Sequence, residues 1–98
     1  MDTLTEIIKN TMLVYAGQGA NAILYPLFDD QHQAYGLAVK TYPDRKRAAW
    51  LALWVRLVEG RVVIEEDRTD RPFVEALLEQ DIPRENIILA YAGEGQFA

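Results

Sequence analysis

Few side chains in this sequence are equipped for chemistry, and their spacing decides what that chemistry would be. His32 is the single histidine. With Asp29 and Asp30 just before it, it has the donors of a weak metal site. It falls, however, in a polar connection between two extended segments, where charged turn residues are ordinary. The plainer reading is a solvated loop histidine. Glu65-Glu66-Asp67 with Asp70 form the densest acidic group. Alternation along a strand sends Glu65 and Asp67 to one face and Glu66 to the other, so a convergent ligand set is not expected. The chain contains neither serine nor cysteine, and no threonine is predicted beside His32, so an activated nucleophile has no evident source. Gly17-Gln18-Gly19 lacks the strand–loop–helix setting that cradles phosphate. The sequence therefore predicts no catalytic residues, no metal site and no cofactor.

The elements that hold these residues are those of one small domain, spanning residues 1–98. Half of the 98 residues are hydrophobic and 26% are charged, a balance that folds around a core of its own. The absence of cysteine rules out disulfides and thiolate metal sites, and it favours a cytoplasmic location. No signal-like segment opens the chain. The longest apolar stretch, Ala48–Val55, runs for eight residues, far short of the ~20 that span a bilayer. The net charge of −5 argues against direct nucleic-acid binding, which draws its affinity from a basic surface. The one basic cluster, Arg45-Lys46-Arg47, follows an aspartate and leads into a hydrophobic strand.

Thr3 and Glu6 have capping-box spacing, and Leu4, Ile7, Ile8, Thr11, Met12 and Tyr15 then recur at helical intervals, predicting a helix over 3–16. Ala22–Phe28 reads as a strand that Pro26 confines to an edge or bulge. Ala34–Thr41 alternates, with Tyr35, Leu37 and Val39 on one face and Ala34, Gly36 and Ala38 on the other. Tyr42-Pro43-Asp44 reads as a turn. Between Arg47 and Asp67 two extended segments flank Glu59-Gly60, a dipeptide suited to a two-residue hairpin. A second helix follows, capped by Thr69 or Asp70 with Pro72 in its first turn. Ile82-Pro83 stops it, and Ile87, Leu89 and Tyr91 alternate in a last strand. The tail from Ala92 is expected to be loose. The predicted fold class is α+β: an N-terminal helix, a four-stranded antiparallel meander, a second helix and a short C-terminal strand.

The hairpin register carries the functional expectation. A two-residue loop pairs Val58 with Arg61, Leu57 with Val62, Arg56 with Val63, Val55 with Ile64 and Trp54 with Glu65. Leu53, Val55, Leu57, Val62 and Ile64 then form a core face. The opposite face carries Trp50, Trp54, Arg56 and Val63, a mixture of indole, guanidinium and aliphatic groups typical of interface hot spots. With only two helices available to cover the core face, this second face is predicted to be left open as a protein interface.

Several stretches also match a known pattern. Glu59-Gly60, Val62-Val63-Ile64, Asp67, Thr69-Asp70, Leu77, Ile82-Pro83-Arg84, Asn86-Ile87-Ile88-Leu89 and Tyr91 resemble, in order and spacing, the C-terminal half of the XisI family of fdxN element excision controlling factors. Asp81, Glu65, Trp54 and Val63 stand where that family more often has glycine, glutamine, histidine and tryptophan. The resemblance implies a small α+β protein required for excision of a DNA element, working beside a recombinase and a nuclease-like companion, XisH, with no catalytic residues to carry over. On this reading the chain is a non-catalytic accessory protein with a XisH-like partner and a possible homodimer. The alternative is a small-ligand-binding domain that uses the aromatic face or a cleft beside the helices.

Overall fold

The computed structural model describes residues 3–19, 21–41 and 46–95. Helix α1 spans Thr3–Tyr15, followed by strands β1 (Gly17–Gln18), β2 (Ala22–Asp29), β3 (Ala34–Thr41), β4 (Trp50–Val58) and β5 (Arg61–Asp67). Helix α2 covers Phe73–Glu79, and a 3-10 turn at Arg84–Asn86 leads into β6 (Ile87–Leu89) and a second 3-10 turn, Ala90–Ala92. The strands form one sheet in the order β1-β2-β3-β4-β5-β6. The predicted four-stranded meander is β2 to β5, antiparallel throughout. Strand β1, outside β2, was not foreseen, and the predicted C-terminal strand, β6, joins β5 in parallel. Parallel pairing needs a long return connection, which α2 supplies. The predicted turn at Tyr42-Pro43-Asp44 lies outside the described residues.

The core lies between one face of the sheet and both helices. Ile8 and Met12 of α1 and Phe73 and Leu77 of α2 meet Tyr35, Leu37, Leu53, Val55, Val62 and Ile64, all fully buried. The α1 stripe buries Ile8, Thr11 and Met12, and Leu4, Ile7 and Tyr15 pack at its margin. Thr11 is accommodated because its hydroxyl donates to the Ile7 carbonyl at 2.6 Å, one turn back. Tyr15 stacks edge-on against Phe73 at 5.8 Å and donates its hydroxyl to the Arg71 carbonyl, joining the two helices.

Local chemistry explains most of the element ends. Glu59 and Gly60 both have positive φ, 52° and 78°, the paired left-handed geometry whose twist suits a two-residue hairpin. Pro26 lies opposite Leu37, past the two residues of β2 that β1 pairs, so its missing N–H falls where β1 makes no ladder. The α2 start differs from expectation: Pro72, not Thr69 or Asp70, is the cap position and offers no side-chain cap. Asp67 takes that role from the end of β5. Its Oδ2 accepts the Phe73 N–H at 2.7 Å, while Oδ1 accepts the Thr69 N–H and hydroxyl at 3.0 and 2.5 Å. At the other end Tyr91 belongs to a 3-10 turn rather than the strand. The described part of the tail is tied down: Glu94 accepts the Leu89 N–H and pairs with Arg84 at 2.8 Å, while residues 96–98 lie outside the described residues.

Candidate interaction surface

The two tryptophans were expected on one face because they stand four positions apart on a strand. A bulge in β4 changes that arithmetic, and a second bulge lies in β5. The β3–β4 pairing runs regularly from Ala34↔Arg56 to Leu37↔Leu53, then resumes at Ala38↔Leu51, passing over Ala52. Trp54 therefore stands opposite Gly36, on the face away from the helices, whereas Trp50 stands opposite the buried core residue Val39. The second bulge passes over Glu65, so Trp54 pairs with Glu66; the other four predicted hairpin pairs hold. A bulge adds one residue to one strand and reverses the alternation beyond it. No Gly or Pro marked either site in the sequence.

Trp54 is held in place by what lies beneath it. A Cβ on Gly36 would sit 2.5 Å from Cε3 of the indole, so the ring lies flat across β3 where only glycine leaves room. Beside it Arg56 pairs with Glu65, Nε to Oε2, at 2.5 Å. Val63, opposite Arg56 and beside Ile88, stands on the same face as Arg56 and is fully buried there. Trp50 is exposed at the sheet's end, with the Arg68 guanidinium 5.9 Å from its ring centroid. Trp50 and Trp54 meet only around this rim, where they line a shallow groove of about 370 Å³ with Leu51, Glu65, Glu66 and Arg68. Of the four residues singled out, Trp54, Arg56 and Val63 share one face, with Val63 fully covered, and Trp50 joins them at the rim.

The open face extends further than the sequence indicated. Leu24, Pro26 and Phe28 of β2 stand opposite core-side residues of β3, which leaves Tyr25 and Leu27 on the other side. Tyr25 and Leu27 are 46% and 48% exposed. The signal was present in the alternation of Ala22–Phe28, but Pro26 and an unbroken apolar run masked it. On the helix side, a cleft of about 390 Å³ is lined by Tyr15, Leu24, Val39, Trp50 and Ala52 together with Arg68, Asp70 and Arg71.

The chemically capable residues are engaged in architecture. His32 Nδ1 lies 2.7 Å from Asp29 Oδ2, and Asp29 Oδ1 also accepts the His32 backbone N–H, closing the β2–β3 turn. These bonds hold the Asp29 carboxyl below its ordinary pKa. Asp30 accepts from Lys9 and from the Tyr35 hydroxyl, which likewise lowers its pKa and ties α1 to that turn. Burial first, and the Asp30 bond second, raise the Tyr35 phenol. Among the described residues, no three His, Cys, Asp or Glu side chains come together to hold a metal ion. No helix among them is long and apolar enough to cross a membrane.

Fold and surface together define the class: a small α+β domain with both helices on one face of a six-stranded sheet and an aromatic, partly open second face. The family model for the XisI protein matches residues 1–96, and this chain belongs to the XisI family. Among solved structures it is similar to a XisI-like protein from Anabaena variabilis ATCC 29413, with a TM-score of 0.75 at 19% identity, covering 88% of this chain and 82% of that one. It is also similar to the fdxN element excision controlling factor XisI of the same organism. There the TM-score is 0.63 at 27% identity, over 91% of this chain and 80% of that one. No curated protein matches the chain.

Proposed function

We propose that this protein is a non-catalytic accessory factor that controls a DNA-processing partner through protein contacts, as an excision controlling factor does. The observation that carries this reading is the likeness to the fdxN element excision controlling factor over 91% of this chain and 80% of that one. The partner is a XisH-like nuclease, met in the cytoplasm by the surface around Trp50, Trp54 and Arg56, with Val63 buried on the same face. A net charge of −5 disfavours direct contact with DNA and suits a partner that itself carries the basic, DNA-facing surface. The test is co-expression with a XisH-like protein followed by affinity purification and calorimetric titration. A stoichiometric complex that Trp54→Ala weakens supports the proposal, and the absence of any complex sinks it.

A second reading has one specific observation in its favour. The cleft of about 390 Å³ beside Tyr15 and Trp50 is lined by apolar side chains together with Arg68, Arg71, Thr69 and Asp70, a mixture of apolar and polar groups of the kind that lines small-ligand sites. Thermal-shift screening with small aromatic carboxylates examines it directly. No stabilisation by any of them, set against a stable complex with the nuclease, decides for the first reading.

A further inference from the structure

We infer that Arg84 and Glu94 form a clasp over the outer edge of β6, and that opening the clasp lets residues 87–92 pair with the same segment of a second copy. Strand β6 is the last strand of the sheet, where the polar groups of Ile87 and Leu89 that face away from β5 have no further strand to meet. All four are nonetheless engaged. The Ile87 N–H donates to the Arg84 carbonyl, and the Ile87 carbonyl accepts from Arg84 Nη1 at 2.8 Å. The Leu89 N–H donates to Glu94 Oε1 at 3.0 Å, and the Leu89 carbonyl accepts the Glu94 N–H at 3.0 Å. Arg84 Nη2 and Glu94 Oε2, 2.8 Å apart, close the ring. Two residues thus supply what a neighbouring strand would.

The sequence shows why this edge has to be closed. Ile87-Ile88-Leu89-Ala90-Tyr91-Ala92 runs without a charge or a proline, and half of it is β-branched or aromatic, the composition of segments that pair with themselves. Only its first three residues are strand. Leu89, at φ −91° and ψ 79°, leaves the extended region, and the turn Ala90–Ala92 ends at Gly93, whose φ of 88° is left-handed. The chain is thereby turned back and Glu94 is delivered to the Leu89 amide. Extension of the strand and closure of the clasp exclude one another. A second copy is the occupant because identical segments align in register, each offering the other the same groups. At the opposite side of the sheet no clasp is needed: the Ala22 carbonyl already meets the Gly19 N–H there. Pro26, four positions on and facing the same way, has no N–H to offer. The clasp is shallow, with the Arg84 and Glu94 side chains 46% and 42% exposed, and an exposed ion pair holds weakly. It therefore opens locally, with the core intact. Trp50, Trp54 and Arg56 take no part, so the inference stands whether or not the nuclease binds.

The experiment compares the full chain as wild type, as the double variant Arg84→Ala/Glu94→Ala, and as Met12→Ala, which weakens the fold from the fully buried core of α1. Each is held at the temperature that gives the same unfolded fraction, and thioflavin T fluorescence with sedimentation velocity follows assembly. The double variant is expected to assemble about 10-fold faster or more than the other two, at a rate that climbs with protein concentration. Adding Ile88→Lys to it should return the rate to that of wild type, because a charge inside the segment stops pairing. Equal rates for the double variant and Met12→Ala overturn the inference, as does fast assembly that Ile88→Lys leaves unchanged. Should the double variant or its Ile88→Lys derivative fail to fold, hydrogen exchange of wild type decides. The Leu89 amide must exchange well ahead of the Ile64 amide in the core, and exchange of both at the single rate of global unfolding overturns the inference.

Discussion

Gly36 and Trp54 show how one small residue sets the character of a surface. The indole needs a strand position with no side chain beneath it, and a methyl group on Gly36 would come within 2.5 Å of the ring. Gly36→Ala is expected to displace the ring and to cost about 1–3 kcal/mol, the usual range for overpacking a close contact. Chemical denaturation measures the loss, and a red shift of tryptophan emission reports the displaced ring. Glu94 acts at the other end of the sheet, where the Leu89 N–H and the Arg84 guanidinium hold its carboxyl below the ordinary value. A lowered folded pKa means that the stabilisation is fully present above the unfolded carboxylate value, about 4.3. It is lost as pH falls through the folded one. Thermal melts of wild type should therefore lose stability below about pH 4.5, and Glu94→Gln should show a shallower acid decline from a lower starting Tm.

At the scale of elements, the residues that carry the family resemblance prove to be architectural. Glu59-Gly60 makes the hairpin turn. Arg84 ties Ile87 to Glu94, and Asp67 with Thr69 caps α2 from outside the helix. Asp67→Ala is expected to cost about 1–2 kcal/mol, since the first N–H of α2 and the Thr69 amide lose one acceptor together. A lower urea midpoint at unchanged slope checks it. The periodic elements were legible from sequence because a single apolar period fixes each: the α1 stripe, the alternation of β3, the register next to the hairpin turn. The bulges at Ala52 and Glu65 were not, since an extra residue in a strand leaves composition and local propensity unchanged. That one-residue slip is why Trp50 and Trp54 were expected to lie side by side and instead meet only around the rim. The α2 cap was misplaced for a related reason: Asp67 lies six residues before the amide it serves, beyond the reach of local capping patterns.

For the whole molecule, the sequence indicated a one-sided sheet through simple supply: two helices cover one face and nothing remains for the other. The structure places both helices on the Tyr35–Leu37 side and adds Tyr25 and Leu27 to the open side. The proposal that the chain acts through its contacts rests on a surface of this make-up in a member of the XisI family. Everything proposed for that activity turns on a nuclease-type partner binding through the Trp54 surface. Titration calorimetry of the purified chain against a XisH-like protein is the sharpest check. A saturable complex is expected, weakened about 10-fold or more by Trp54→Ala, while Val14→Asp on exposed α1 leaves it intact. No binding at tens of micromolar, or equal binding by Trp54→Ala and wild type, would refute it.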